Sequence, residues 1–346
     1  MAKPRLHDVA ARAGVSLATA SAALNGLAIV RESTRLRVEQ AARELGYRRD
    51  ASAAVLASRR QRARTRSGRL SLAYLLSPSA SRSGFDLMKT RATELGYDLL
   101  RVDLRTFATP QEASRSLWFQ NVAGLFYASP RAVPEEGNWA AAFDWSRFSV
   151  VKFTRARPEL RFDLIRHSAF NYASRTMREV AARGYRRLAL ILGTSTVPED
   201  DEARLGAALG WKALRYPQGL DLEWRTLPRD PNQWKGVWKG MERWLREFRP
   251  EVVVGFPDEL YWQLVRVGWK IPQDVGYASI ARSDSMENVA GCSINQREVV
   301  IKAVEWLDHL IKVGHGGMVQ TPQEMVIEPT WCDGPTLPDR TNPSDL

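Results

Sequence analysis

The stretch "DVAARAGVSLATASAALNG" (residues 8–26) reads as two short helices broken by a glycine. In the first, Val9, Ala10 and Ala13 share one stripe and Arg12 falls outside it. Gly14 supplies the turn, and Ser16 stands where an N-cap would open the next helix. There Ala20, Ala23 and Leu24 fall on one face. Ala18, Ser21, Ala22 and Asn25 fall on the other, with Leu17 beside them. Gly26 closes the segment as a C′ residue would. A third helix is expected from about Thr34 to Leu45 ("TRLRVEQAAREL"), with Leu36, Val38, Ala41, Ala42 and Leu45 as apolar positions and Gly46 as its stop. Two short helices joined by a Gly turn and closed by a third make a helix-turn-helix domain.

The surroundings are basic. Residues 1–69 hold 15 Lys and Arg against 5 Asp and Glu, a net of +10; the other 277 residues hold 35 against 34, a net of +1. A basic excess confined to one end is the footprint of polyanion binding. A solvated basic tail would carry the same charge without the helical periodicity. The 346-residue chain is otherwise globular in composition, 44% hydrophobic and 26% charged. No apolar run approaches the ~20 residues of a membrane span, and "MAKPRLHDVA" lacks the apolar core of a secretory signal. Cys292 and Cys332 lack metal-ligand spacing and are expected to be buried free thiols in a reducing cytoplasm.

"LHDVAARAGVSLATASAALNG" and "STRLRVEQAARELGY" resemble the start of the lac/gal repressor (LacI/GalR) family of transcription regulators. Its pattern is D-V-A-x-x-A-G-V-S-x-x-T-V-S-x-x-L-N-G, then a third helix ending E-L-G-Y. The matches are Asp8, Val9, Ala10, Ala13, Gly14, Val15, Ser16, Thr19, Ser21, Leu24, Asn25, Gly26, Glu44, Leu45, Gly46 and Tyr47, all in one register. The resemblance implies a nucleoid-associated homodimer on a pseudo-palindromic operator, because two-fold symmetry doubles the contacts one short helix can make. The side chains expected to meet DNA are His7, Ser16, Leu17, Ala18, Thr19, Ser21, Ala22 and Asn25. The family often has Arg where Ala22 stands, so a bidentate guanine contact is missing. Leu17, Ala18 and Ala22 suit thymine methyls, and A·T-rich half-sites are expected.

"YRRDASAAVLAS" aligns Tyr47, Asp50, Ala53 and Leu56 with the family's hinge helix, Y-x-x-N-x-x-A-x-x-L, with Asp50 in place of its Asn. The resemblance implies that Leu56 wedges between base steps in the minor groove; an ordinary interface leucine would be the same residue type. "RRQRARTRSGR" (residues 59–69) follows, with six arginines and no acid. Arg59 and Arg60 lie nearest the hinge and are expected to reach phosphates or a narrow groove. A solvated, extended linker is the alternative.

From residue 70 the pattern changes. "LSLAYLL" (70–76), "NVAGLFYAS" (121–129), "FSVVKFT" (148–154), "PEVVVGF" (250–256) and "DVGYASI" (274–280) read as buried strands. "FDLMKTRATELGYDLLRVDL" and "YASRTMREVAARGYRRLALILG" each read as helix, Gly stop and strand. Alternating strands and helices predict parallel α/β sheets, and the length predicts two of them. "AARGYRRLALIL", "IPQDVGYASI" and "GCSINQ" are similar to family motifs of a two-lobed, periplasmic-binding-protein-like core that holds an effector between its lobes. The expected organisation is a helix-turn-helix domain (1–49), a hinge helix (50–58), an Arg-rich linker (59–69), a two-lobed effector-binding and dimerisation domain (70–331), and a flexible tail (332–346). That tail lacks heptads, so no coiled-coil tetramer is expected.

The cleft positions depart from the family. Its effector Arg falls on Ala207, its helix-opening Asp on Asn171, and the Asp of its G-F-D-D near Ala281, with Arg282 following. Asn171, Arg204 and Asp258 are the effector-binding candidates, with Arg204 close enough in sequence to replace the missing Arg. The loss of Arg and Asp forks argues against an ordinary sugar effector. Trp211, Trp224, Trp234, Trp238, Trp244, Trp262 and Trp269 gather in the C-terminal lobe. Packing outweighs sugar stacking as their use, and Trp234, Trp238 and Met241 are expected to form a buried stripe.

No nucleophile elbow, phosphate-binding loop or H-E-x-x-H site is present, and His7, His167, His309 and His315 are scattered. Neither catalysis, a metal nor a cofactor is expected. The alternatives are an effector-independent or partner-controlled DNA-binding protein and, from another class, a small-molecule carrier or enzyme on the same two-lobed fold.

Overall fold

A computed structural model of the chain describes residues 6–24, 30–45, 69–76, 82–134, 138–195, 197–215 and 219–341. It divides into two compact units, one holding three N-terminal helices and the other two β-sheets.

The first unit contains α1 (Leu6–Ala13), α2 (Leu17–Leu24) and α3 (Glu32–Glu44). α3 starts earlier than Thr34, since Glu32 opens it and pairs with Arg35 one turn on. The core is made of small side chains: Val9, Ala10 and Ala13 from α1, Ala20 and Ala23 from α2, and Val38, Ala41 and Ala42 from α3. Alanines let the helix axes approach closely. Leu36, expected in this core, is 54% exposed instead. It lies two residues before Val38, about 200° around the helix, so both cannot face inward.

The second unit has two six-stranded sheets. The first runs β11-β5-β4-β3-β1-β2, all parallel, from β1 (Ser71–Leu75), β2 (Asp98–Val102), β3 (Val122–Tyr127), β4 (Ser149–Lys152), β5 (Asp163–His167) and β11 (Glu324–Ile327). The second runs β12-β10-β9-β8-β6-β7, from β6 (Arg187–Gly193), β7 (Asp221–Leu227), β8 (Val252–Phe256), β9 (Gly276–Arg282), β10 (Gly291–Ser293) and the antiparallel β12 (Thr330–Cys332). Helices cover both faces of each sheet. α4 (Arg82–Glu94) and α11 (Gln296–Val313) pack on one face of the first sheet, α5 (Pro110–Phe119) and α6 (Trp139–Ala142) on the other. α7 (Ala169–Ala182) and α8 (Pro198–Arg215) flank the second sheet, opposite α9 (Trp234–Phe248) and α10 (Glu259–Arg266). Central strands buried on both sides must be apolar throughout, which is why all six residues of β3 are buried. Gly124 in β3 admits Leu307 of α11, whose Cδ1 would stand 2.9 Å from a Cβ added there.

The chain passes between the sheets three times, at residues 167–169, 293–296 and 327–330. Asn295, in a left-handed conformation (φ 45°), donates from Nδ2 to the Glu328 carbonyl (2.8 Å) and the Thr330 hydroxyl (3.1 Å), tying the second and third crossings together. Residues 332–341, expected to be a flexible tail, are docked on the second lobe. Thr336 is buried and donates to the Tyr277 carbonyl at 2.9 Å, Leu337 is buried, and the Arg340 amide donates to the Arg183 carbonyl. One buried hydroxyl and one leucine hold a segment whose Pro and Asp content read as loose.

Both cysteines are free. Cys292 is buried, and burial pushes its thiol up to about 11; Cys332 is only half-buried, because its strand is an edge. The tryptophan stripe is as expected, with Trp234, Trp238, Met241 and Trp244 buried on one face of α9. Trp224 and Trp262 are 40% and 53% exposed. No described helix is long and apolar enough to cross a membrane.

Candidate nucleic-acid interface and inter-lobe cleft

α1 ends where Gly14 takes φ 64°, a left-handed turn that a β-carbon disfavours. The Val15 amide then bonds back to the Ala10 carbonyl at 3.0 Å. Ser16 caps α2: its Oγ accepts from the Thr19 amide at 3.1 Å and shares a 2.8 Å hydrogen bond with the Thr19 hydroxyl. Both hydroxyls thus serve first to start the helix. Leu17 projects from the first turn of α2, 53% exposed, and Ala22 is half-buried. Ala18 and Ser21 lie on α2. His7 is exposed on α1, with Nε2 3.0 Å from the Asp8 carboxylate. Arg12 closes the unit by donating from Nε and a terminal nitrogen to one oxygen of Glu44, which holds that carboxyl below its usual range. Arg31, Arg37 and Arg43 are exposed and lack acidic partners among the described residues. Asn25, Leu56, Arg59 and Arg60 lie outside the described residues.

Arg69, the last of the six linker arginines, is anchored. It donates to the carbonyls of Gly96 (3.0 Å) and Thr93 (3.2 Å) at the end of α4 and lies 3.4 Å from Asp98. A cation at a helix C-terminus meets the negative end of its dipole. Arg69 thus belongs to the first lobe.

Asn171, Arg204 and Asp258 are all in the second lobe, and each has an internal partner. Asn171 Nδ2 donates to Glu328 Oε1 at 2.8 Å, joining the first crossing to the third. Arg204 is buried, donates to Asp201 at 2.9 Å and lies over the Phe256 ring at 3.8 Å. Asp258 accepts from the Ser279 hydroxyl (3.2 Å) and the Ser283 amide (2.9 Å). Arg282 donates to three carbonyls, of Met286, Glu287 and Val289, and so shapes its own loop.

Parallel sheets bind ligands at the C-terminal strand ends where the strand order reverses, which in the first sheet is between β1 and β3. A cavity of about 250 Å³ lies there, bounded by Tyr74 of β1, Ala128 after β3, Phe153 after β4, residues 165–167 of β5, Ile294 of the second crossing, and α4 and α11. None of the three effector candidates lines it. Beside it Arg166 donates to Glu324 (2.7 Å) and the His167 carbonyl (2.9 Å), and reaches Asp200 of the second lobe at 3.4 Å. Sequence reading missed Tyr74, Arg166 and Glu324, which no motif marks. Gln296, which also lines the cavity, was within reach as the last residue of "GCSINQ".

Three crossings between two doubly covered sheets, joined to a three-helix unit, define a periplasmic-binding-protein-like body carrying a helix-turn-helix domain. Residues 5–50 match the family model of the bacterial regulatory proteins of the lacI family, and the N-terminal unit is a helix-turn-helix domain of that family. A 56-residue segment is 54% identical to the HTH-type transcriptional regulator GntR of Pseudomonas aeruginosa; the match spans 16% of that protein's length and 16% of this chain. The solved lac repressor dimer bound to operator and the anti-inducer ONPF is similar over 97% of this chain and 100% of its own, with TM-score 0.56 and 18% identity. The transcriptional regulator CelR in complex with cellobiose is similar over 96% of this chain and 99% of its own (TM-score 0.55, 18% identity). A periplasmic binding protein/LacI regulator of Alkaliphilus metalliredigens with D-xylulofuranose covers 78% of this chain and 99% of its own (TM-score 0.53, 14% identity). At these identities the likeness is one of fold.

Proposed function

We propose that this chain is a sequence-specific DNA-binding transcriptional regulator, a cytoplasmic repressor that acts as a homodimer on a pseudo-palindromic operator. The observation carrying this reading is the match of residues 5–50 to the lacI-family model, a segment whose helices form a packed unit with α2 opened by the Gly14 turn and the Ser16 cap. The net charge of +10 on residues 1–69 supports it, since phosphate neutralisation supplies most non-specific affinity. In this reading His7, Ser16, Leu17, Ala18, Thr19, Ser21, Ala22 and Asn25 face the operator, and Leu56, Arg59 and Arg60 reach the minor groove or phosphates. The relatives matched are regulators, and the reading needs no enzymatic step.

Control by a small molecule between the lobes follows from differential affinity for two arrangements of the body. The partners already held by Asn171, Arg204 and Asp258 favour a second version of the reading, in which these positions bind no effector. Genomic footprinting with the purified full chain tests the main reading. Protected palindromic sites with A·T-rich halves support it. Absence of any protected site overturns it and revives a carrier or enzyme.

A further inference from the structure

We propose that the cavity at the β1/β3 strand ends binds a neutral, compact aromatic molecule of one or two fused rings with a hydrogen-bonding group, rather than a sugar. This rests on the reading of the cleft as an effector site, and it names the class of effector.

Three observations carry it. The walls are largely apolar: Met88 of α4, Phe153, Ile165 of β5, Ile294, and Val299 and Val300 of α11. A sugar, with a hydroxyl on nearly every carbon, would leave most of those hydroxyls unpaired, which costs more than the contact returns. The second observation is volume. A cavity of 150 Å³ lined by aliphatic and aromatic side chains accepts benzene, so about 250 Å³ suits a substituted ring or a fused bicycle.

Third, three polar heads reach this apolar space without hydrogen-bond partners among the described residues: the Tyr74 hydroxyl, the His167 imidazole and the Gln296 amide. Gly84 leaves room for the last; a β-carbon there would stand 2.9 Å from Gln296 Nε2. None of the three is a sealed-off orphan, so a ligand that pairs with them replaces water and gains chiefly orientation. Arg166 also borders the cavity, but Glu324, the His167 carbonyl and Asp200 use its donors, so no free cation calls for an anionic ligand. Crowding by the surrounding protein, with the Arg204 and Arg166 charges, holds the His167 imidazole below its ordinary range. A lining that is mostly apolar, with its arginine paired to carboxylates, selects an uncharged guest.

Isothermal titration of the full chain, without DNA, with indole and 2-naphthol as probes and glucose and gluconate as controls, tests the proposal. Saturable binding of an aromatic probe is expected, with Kd on the order of 0.1 mM for so few atoms. Val300→Phe, which fills the cavity, should weaken it tenfold or more. Gln296→Leu, at a half-buried position that the fold does not need, should weaken it several-fold; because its thermal transition is expected to be unchanged, it remains informative if Val300→Phe misfolds. Silence from both aromatic probes, tighter binding of either control, or aromatic binding unmoved by both variants overturns the proposal. Footprinting reads DNA alone, so failure of the regulator reading and failure of this one are separate results.

Discussion

Arg166 at the end of β5 and Asp200 in the first turn of α8 approach to 3.4 Å across the two lobes, while Glu324 of β11 holds the same guanidinium from its own lobe at 2.7 Å. One arginine therefore bridges the two lobes. Asp200→Asn removes the contact between lobes and leaves the contact within one. Because the pair is only partly buried, the expected loss is about 1 kcal/mol, a fall in Tm of roughly 2–4 °C. Salt should shrink the difference between variant and wild type. Thermal denaturation at two ionic strengths checks it, and identical curves would show that the contact contributes nothing.

Lys152 gives a pH signature. Its Nζ is buried, donating to the carbonyls of Arg157 (3.0 Å) and Leu160 (2.9 Å), and burial pushes its pKa down to about 8. The unfolded chain holds this proton up to about 10.4, so between the two values the unfolded state binds more protons and stability rises with pH. Against Lys152→Met, the wild type should gain relative stability from pH 8 to pH 10. Groups common to both proteins cancel in that difference. A pH-independent gap in Tm would refute the assignment.

Among the described residues the N-terminal unit buries eight apolar side chains, and Val38 is fully buried among them. Val38→Ala should cost about 1–3 kcal/mol, a large share of the stability of so small a core. The expected outcome is loss of operator binding with the thermal transition of the two-lobed unit unchanged. Retained binding at wild-type affinity would show that this core has stability to spare.

Ala22 stands half-buried on α2, where the family often has Arg. Ala22→Arg should shift preference towards a G·C pair by about fivefold or more, since one bidentate contact discriminates by about 1–3 kcal/mol. Selection from a randomised operator library reads this directly. An unshifted consensus would mean this face does not meet the bases.

The linker arginines divide by role. Replacing Arg59, Arg60, Arg62, Arg64 and Arg66 with Gln should flatten the slope of log affinity against log salt by about 0.9 for each phosphate left unneutralised. Arg69→Gln should leave that slope alone and instead lower the stability of the first lobe, because Arg69 caps α4. Equal slopes for the five-fold variant and wild type would leave the linker no part in binding.

The sequence by itself determined the parts of this protein that local rules govern. The Gly14 turn, the Ser16 cap and the alanine stripes of α1 and α2 are contacts within a few residues. The central strands were legible too, because a strand covered on both faces must be apolar along its length, as β3 and β8 are. Tertiary structure decided the rest. β7, β11 and β12 lie at sheet edges, where one side meets solvent and the pattern fades; β11 pairs with β5 across some 160 residues. The tail at 332–341 is fixed by Thr336, Leu337 and the Arg340 amide, and Thr336 finds its partners only once β9 is in place. The cavity is assembled from β1, β5, α4, α11 and the segments that follow β3, β4 and β10, which share no motif. A site whose residues are each ordinary, and unusual only in what surrounds them, leaves no mark in the order of the chain.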